Sequence, residues 1–69
     1  MLINEEEFLR ELADHIKAKY KSIPKAAEAW GTTRSYVYAV VAGNKPANKM
    51  ILRDVGYIRT KVSLYEPMQ

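Results

Sequence analysis

Three glycines, Gly31, Gly43 and Gly56, divide the middle of this chain into apolar segments. The stretch KAAEAWGTTRSYVYAVVAGNKPANKMILRDVGY shows the pattern. Each segment is shorter than the roughly 12–15 residues that an isolated helix needs in water. Such segments become helical only by burying apolar faces against each other. A glycine between them supplies the left-handed residue that ends one helix and lets the next begin at an angle.

The chain has 69 residues, enough for one domain with a small core. A domain of this size buries only about 60% of the surface its unfolded form exposes. Disulfides, a metal or a partner chain usually make up the deficit. With no cysteine and only His15 as an imidazole, no disulfide, metal centre or cofactor is expected, and self-association becomes the expected device. The opening MLINEEEF is acidic and does not read as a secretory leader. No run approaches the roughly 20 apolar residues of a membrane helix, so a soluble, cytoplasmic protein without a membrane partner is expected.

The spacing predicts a helix over residues 4–20, with Asn4 and Glu7 at capping-box spacing and Phe8, Leu9, Leu12, Ala13, Ile16 and Tyr20 on one stripe. A second helix over 22–30 starts at Ser22, tolerates Pro24 in its first turn and turns Ala26, Ala27 and Trp30 inward. A third over 33–42 is capped by Thr33 and carries Val37, Val40 and Val41. A fourth over 48–55 is capped by Asn48 and carries Met50, Ile51, Leu52 and Val55. The period then changes. Ile58, Thr60, Val62 and Leu64 alternate with Arg59, Lys61 and Ser63, which predicts a strand over 57–65; if it joins two copies, Ile58, Val62 and Leu64 would bury one face. A lone strand needs a partner, either the first residues of the chain or a second copy.

Charge is segregated along the chain. Residues 1–16 place Glu5, Glu6, Glu7, Glu11 and Asp14 against Arg10. Residues 17–53 place Lys17, Lys19, Lys21, Lys25, Arg34, Lys45, Lys49 and Arg53 against Glu28. A basic middle behind an acidic start suits a polyanion on one side and repels it on the other.

A helix, a glycine turn and a second helix, with Ala27 four residues before Gly31, form a helix-turn-helix arrangement. A small residue at Ala27 lets the helices cross closely, and Gly31 is expected where a side chain would clash. The segment IPKAAEAWGTTRSYVYAVVAG resembles the helix-turn-helix of the lambda repressor-like class, the Cro and phage-repressor DNA-binding proteins. The positions that carry the resemblance are Ala27, Trp30, Gly31, Thr33, Val37, Val40 and Gly43, and GNKPANKMILRDVGY extends it to about residues 5–57. The resemblance implies a mainly α, compact four-helix lambda repressor-like domain, here with a short C-terminal β-strand. Ile23 departs from it, standing where the family often has a phosphate-bonding glutamine. Thr32 replaces an aliphatic core residue, and Ala39 replaces a polar base-reading side chain.

Carried over position by position, the resemblance puts Arg34, Ser35, Tyr38 and Ala39 on the base-reading face of the third helix. Arginine can donate two hydrogen bonds to guanine O6 and N7, and Ala39 can touch a thymine methyl. Ser22, Lys25, Thr33, Asn44, Lys45, Asn48 and Lys49 fall where such proteins meet phosphate. Trp30 reads as a packing residue, and Tyr36 mainly as packing or backbone-contacting.

Enzyme chemistry finds no support in the inventory. His15 has no cysteine or serine arrangement around it, and the clustered glutamates suit a helix dipole. The expected function is sequence-specific operator binding by a Cro-like phage or prophage repressor that occludes a promoter. The expected partner is a double-stranded DNA operator, bound by a homodimer joined through the C-terminal strand or through helices. The alternatives are the antitoxin of a toxin–antitoxin pair and a protein-interaction module that keeps the fold without binding DNA.

Overall fold

Each helix start is set by a side chain that takes a backbone N–H otherwise left without a partner. The computed structural model describes residues 2–61 and 64–67. In it, α1 spans Glu5–His15, α2 Ile23–Ala29, α3 Arg34–Val41 and α4 Lys49–Val55. Asn4 Oδ1 accepts from Glu7 N at 2.8 Å, and Asn4 N donates back to Glu7 Oε1 at 3.3 Å, closing the capping box. Ser22, Thr33 and Asn48 cap α2, α3 and α4 in the same way.

The α2 and α3 ends share one device. Gly31 N and Thr32 N donate to the carbonyls of Glu28 and Ala27, and Gly43 N and Asn44 N donate to those of Val40 and Ala39. This is the double hydrogen bond of a Schellman end, with the glycine left-handed. Gly31 is required for its φ of +67°, because a Cβ there would meet nothing within 4 Å. The clash expected at this position is therefore absent, and backbone conformation alone selects glycine. At Gly43 both reasons apply: φ is +84°, and a Cβ would lie 3.2 Å from Leu9 Cδ1.

Helix α1 does not stop at His15. It continues as a π-helical turn over Ile16–Tyr20 and ends on Lys21, whose φ of 76° is left-handed. Lys21 N bonds to Ile16 O at 2.9 Å, the five-residue span of a π turn. The added residue per turn swings Lys19 and Tyr20 toward α4, where both reach Asp54.

The core forms around Phe8, Leu12, Ile51, Val37 and Val40, all essentially solvent-free. Trimming Leu12 to alanine would cost about 2–5 kcal/mol. Ile16, Ala26, Ala27 and Trp30 complete the helical side as the spacing predicts. Two expected core positions do not join it. Ala13 is exposed, and Met50 is 54% exposed. Ile51, one residue along the short α4 helix, points inward instead.

The strand predicted over 57–65 is two strands. β1 is Ile3–Asn4, β2 is Tyr57–Lys61 and β3 is Leu64–Pro67, and they form an antiparallel sheet in the order β1-β3-β2. The C-terminal segment thus finds its partners within its own chain, Ile3 facing Tyr65 and Arg59 facing Tyr65 from the other side. Within the single chain the inward face is not the one that carries Ile58. Ile58 and Thr60 are exposed, Leu64 is half-buried, and Val62 lies outside the described residues. Tyr57 and Tyr65 point inward because the core offers them aromatic and polar partners together. Phe8 stacks on Tyr65 at 4.0 Å between centroids and meets Tyr57 edge-on at 5.7 Å. The Tyr57 hydroxyl donates to Glu11 Oε2 at 2.7 Å. That bond, with partial burial and the charges of Glu11 and Glu7, pushes the Tyr57 phenol up to about 12.

Among the described residues no helix is long and apolar enough to cross a membrane.

Candidate nucleic-acid interface

Helix α3 is two-faced. Val37 and Val40 are buried, while Arg34, Ser35 and Tyr38 stand exposed, Tyr38 at 56%. Residues 34, 35 and 38 share a face because three or four positions make one turn. No acidic residue occurs in α3, so nothing on this helix opposes an anion. Ala39 is half-buried, and its carbonyl accepts from Asn44 N at 2.8 Å and Lys45 N at 3.3 Å. These backbone bonds tie the loop to the end of the helix.

The other expected contact residues fall in three groups along the chain. At the start of α2, Ser22 is half-buried and Lys25 exposed. At the start of α3, Thr33 is exposed. The loop and the start of α4 expose Asn44, Lys45, Asn48 and Lys49. The cap geometry has a chemical consequence. Ser22 and Thr33 use a hydroxyl lone pair to cap, so their O–H groups stay free to donate. Asn48 caps through Oδ1, which leaves its amide N–H groups outward. Loop position is fixed by Tyr36, half-buried, whose hydroxyl donates to Pro46 O at 2.6 Å.

Behind this surface, one carboxylate gathers the scaffold. Asp54 on α4 accepts from His15 Nε2 at 2.7 Å, Lys19 Nζ at 2.8 Å, the Tyr20 hydroxyl at 2.9 Å and Trp30 Nε1 at 3.3 Å. Because the carboxylate only accepts, the His15 proton lies on Nε2. Partial burial would raise the Asp54 carboxyl, but hydrogen bonds from Lys19, His15, Tyr20 and Trp30 outweigh it and hold the group well below its usual range. The same contact raises the Lys19 ammonium, against a small opposing effect of burial. Trp30 caps α2 one residue before the Gly31 turn, so this cluster ties the turn between α2 and α3 to α4.

By charge the C-terminal part of the chain is balanced, Arg59 and Lys61 against Asp54 and Glu66, so the sequence does not single out Arg59. The structure brings Arg59 beside the loop, its Nη2 reaching Ala47 O at 3.5 Å. Arg53 and Lys49 lie along the adjacent groove of α4 and β2. In the alternation of the strand Arg59 falls on the polar side, so no local signal marked it.

Comparisons with protein-family models, with curated proteins and with solved structures return no match for this chain.

Proposed function

We propose that this protein is a sequence-specific double-stranded DNA-binding regulator of the lambda repressor-like kind, a Cro-like phage or prophage repressor that acts by occluding its operator. The observation that carries the reading is the free face of α3. Arg34, Ser35 and Tyr38 project from a helix whose other side is anchored by Val37 and Val40, with no acid among its residues. A helix held in this way can enter a major groove with its first turn against base edges. Free donors at Ser22, Thr33 and Asn48, and the ammonium groups of Lys25, Lys45 and Lys49, supply the sequence-independent grip on phosphate.

In this reading the protein binds as a homodimer, since two half-sites give affinity that one cannot. β3 already pairs on both sides, so the backbone edge left in the C-terminal segment is that of β2. A second copy joins there or through helices, and sedimentation equilibrium on Ile58→Glu against wild type separates the two.

A second reading, a protein-interaction module or antitoxin on the same scaffold, draws on the exposed Ile58 beside a groove of about 330 Å³ that includes Leu52 and Tyr57. Titration of labelled duplexes at several salt concentrations distinguishes them. Selection from a random duplex pool should enrich one motif, and affinity should fall steeply with salt. Absence of any duplex binding at low salt would sink the DNA reading.

A further inference from the structure

An open cleft of about 400 Å³ lies between the loop after α3, the start of α1 and strand β2. Its walls include Glu5, Asn44, Lys45, Pro46, Arg59 and Thr60. Arg59 is unusual among them. Its guanidinium lies 5.7 Å from the centre of the Tyr65 ring, and its Nη2 points at Ala47 O. Its Nε is buried without a hydrogen-bond partner. The ion pairs among the described residues involve Arg10, His15 and Lys19, and none involves Arg59. A half-buried cation with no counter-ion is costly unless an anion completes it.

One carboxylate lies along the cleft. Glu5 borders the same cleft but makes no ion pair with Arg59. Lys45 also borders it, and Arg59 borders the neighbouring groove that holds Lys49 and Arg53. Arg59 therefore joins two hollows into one basic band that runs from the loop onto the sheet, with Glu5 as the acidic intruder at one end. Thr60 stands at the bulge where the β2–β3 register shifts, and its hydroxyl donates to Leu64 O at 3.5 Å, so it is already engaged.

We infer that this cleft is a phosphodiester site, in which Arg59 and Lys45 hold a DNA backbone phosphate beyond the reach of the helix-turn-helix itself. The inference rests on the DNA-binding reading and extends its footprint to strand β2. Planar N–H donors suit phosphate oxygens, and a guanidinium already fixed by Tyr65 and Ala47 loses little freedom on binding. Glu5 opposes the phosphate and lowers affinity.

The test measures fluorescence anisotropy of a mixed-sequence duplex with full-length wild type, Glu5→Gln and Arg59→Gln across a salt series, with thermal unfolding recorded for each. The expected result is tighter binding by Glu5→Gln to every duplex. Arg59→Gln should bind every duplex more weakly, with a salt slope smaller by about 0.9 for the lost contact. Should Arg59→Gln fail to fold, the gain in Glu5→Gln still decides. Wild-type binding that neither substitution alters would overturn the cleft alone. A Glu5→Gln protein that melts earlier and binds DNA as before would make Glu5 the internal counter-ion and overturn it too. If wild type binds no duplex at all, the DNA reading fails and takes the cleft with it.

Discussion

His15 Nε2 lies 2.7 Å from Asp54 Oδ2, although 39 positions separate the two residues. Asp54 is the common acceptor for donors from α1, its π turn and the end of α2, so its loss should be felt across the helices. Asp54→Asn should destabilise the protein by about 1–3 kcal/mol at neutral pH, because Tyr20 and Trp30 would keep partly buried donors without a charged acceptor. The carboxyl is held below its usual range when folded and titrates near 3.8 when unfolded. Its stabilisation is thus complete above that value and declines as the pH falls below it. Urea unfolding at pH 7, 5 and 3 should show a constant gap between wild type and variant at the first two values and a smaller one at the third.

Tyr57 and Glu11 give the opposite limb. The phenol titrates near 10 when unfolded and is pushed up to about 12 when folded, chiefly by its hydrogen bond to Glu11. The folded state favours the protonated phenol, so this stabilisation is present below pH 10 and is lost between about 10 and 12. Tyr57→Phe should cost about 1 kcal/mol at pH 7 and less in strong alkali. Denaturant melts of both proteins at pH 7 and 11 make the comparison.

Lys21 should tolerate glycine with a gain. Its φ of 76° is one that a Cβ disfavours by about 1–2 kcal/mol. Part of that is offset by the added freedom of glycine in the unfolded chain. Lys21→Gly should raise stability by about 0.5–1 kcal/mol, read as a higher midpoint of thermal unfolding. A lower midpoint would mean that the lysine side chain itself supports the π turn.

Arg34 should divide specific from general affinity. Arg34→Ala should cost about 1–3 kcal/mol at the selected motif, relax preference at one base pair and leave random duplexes little changed. Removing Lys45 and Lys49 together should do the reverse, weakening all sequences alike and lowering the salt slope by about 0.9 per lost contact. Parallel titrations against motif and scrambled duplexes check both.

What the sequence disclosed was what neighbours along the chain decide. Asn4, Ser22, Thr33 and Asn48 announce their helices because each cap acts within three residues. Val37 and Val40 announce a buried face because helical spacing alone aligns them. Asp54 gave no such signal, since its partners come from 24 to 39 positions away. The π turn had none either, as it depends on what Lys19 and Tyr20 can reach. In the sheet, periodicity gave the alternation but not its direction. Ile58 looked like the core residue, yet Tyr57 and Tyr65 had Phe8 and Glu11 waiting, contacts that no local pattern encodes.

The order β1-β3-β2 also bears on how the molecule is made. Ile3 is synthesised before the four helices, and its strand partner Tyr65 after all of them. Phe8 likewise waits for Tyr65 to cover its ring. A nascent chain that has reached residue 56 can form its helices but cannot close the sheet beneath them. Closure of the sheet therefore waits for residues 64–67, and a chain truncated before residue 64 would leave the Phe8 ring of α1 without its Tyr65 cover.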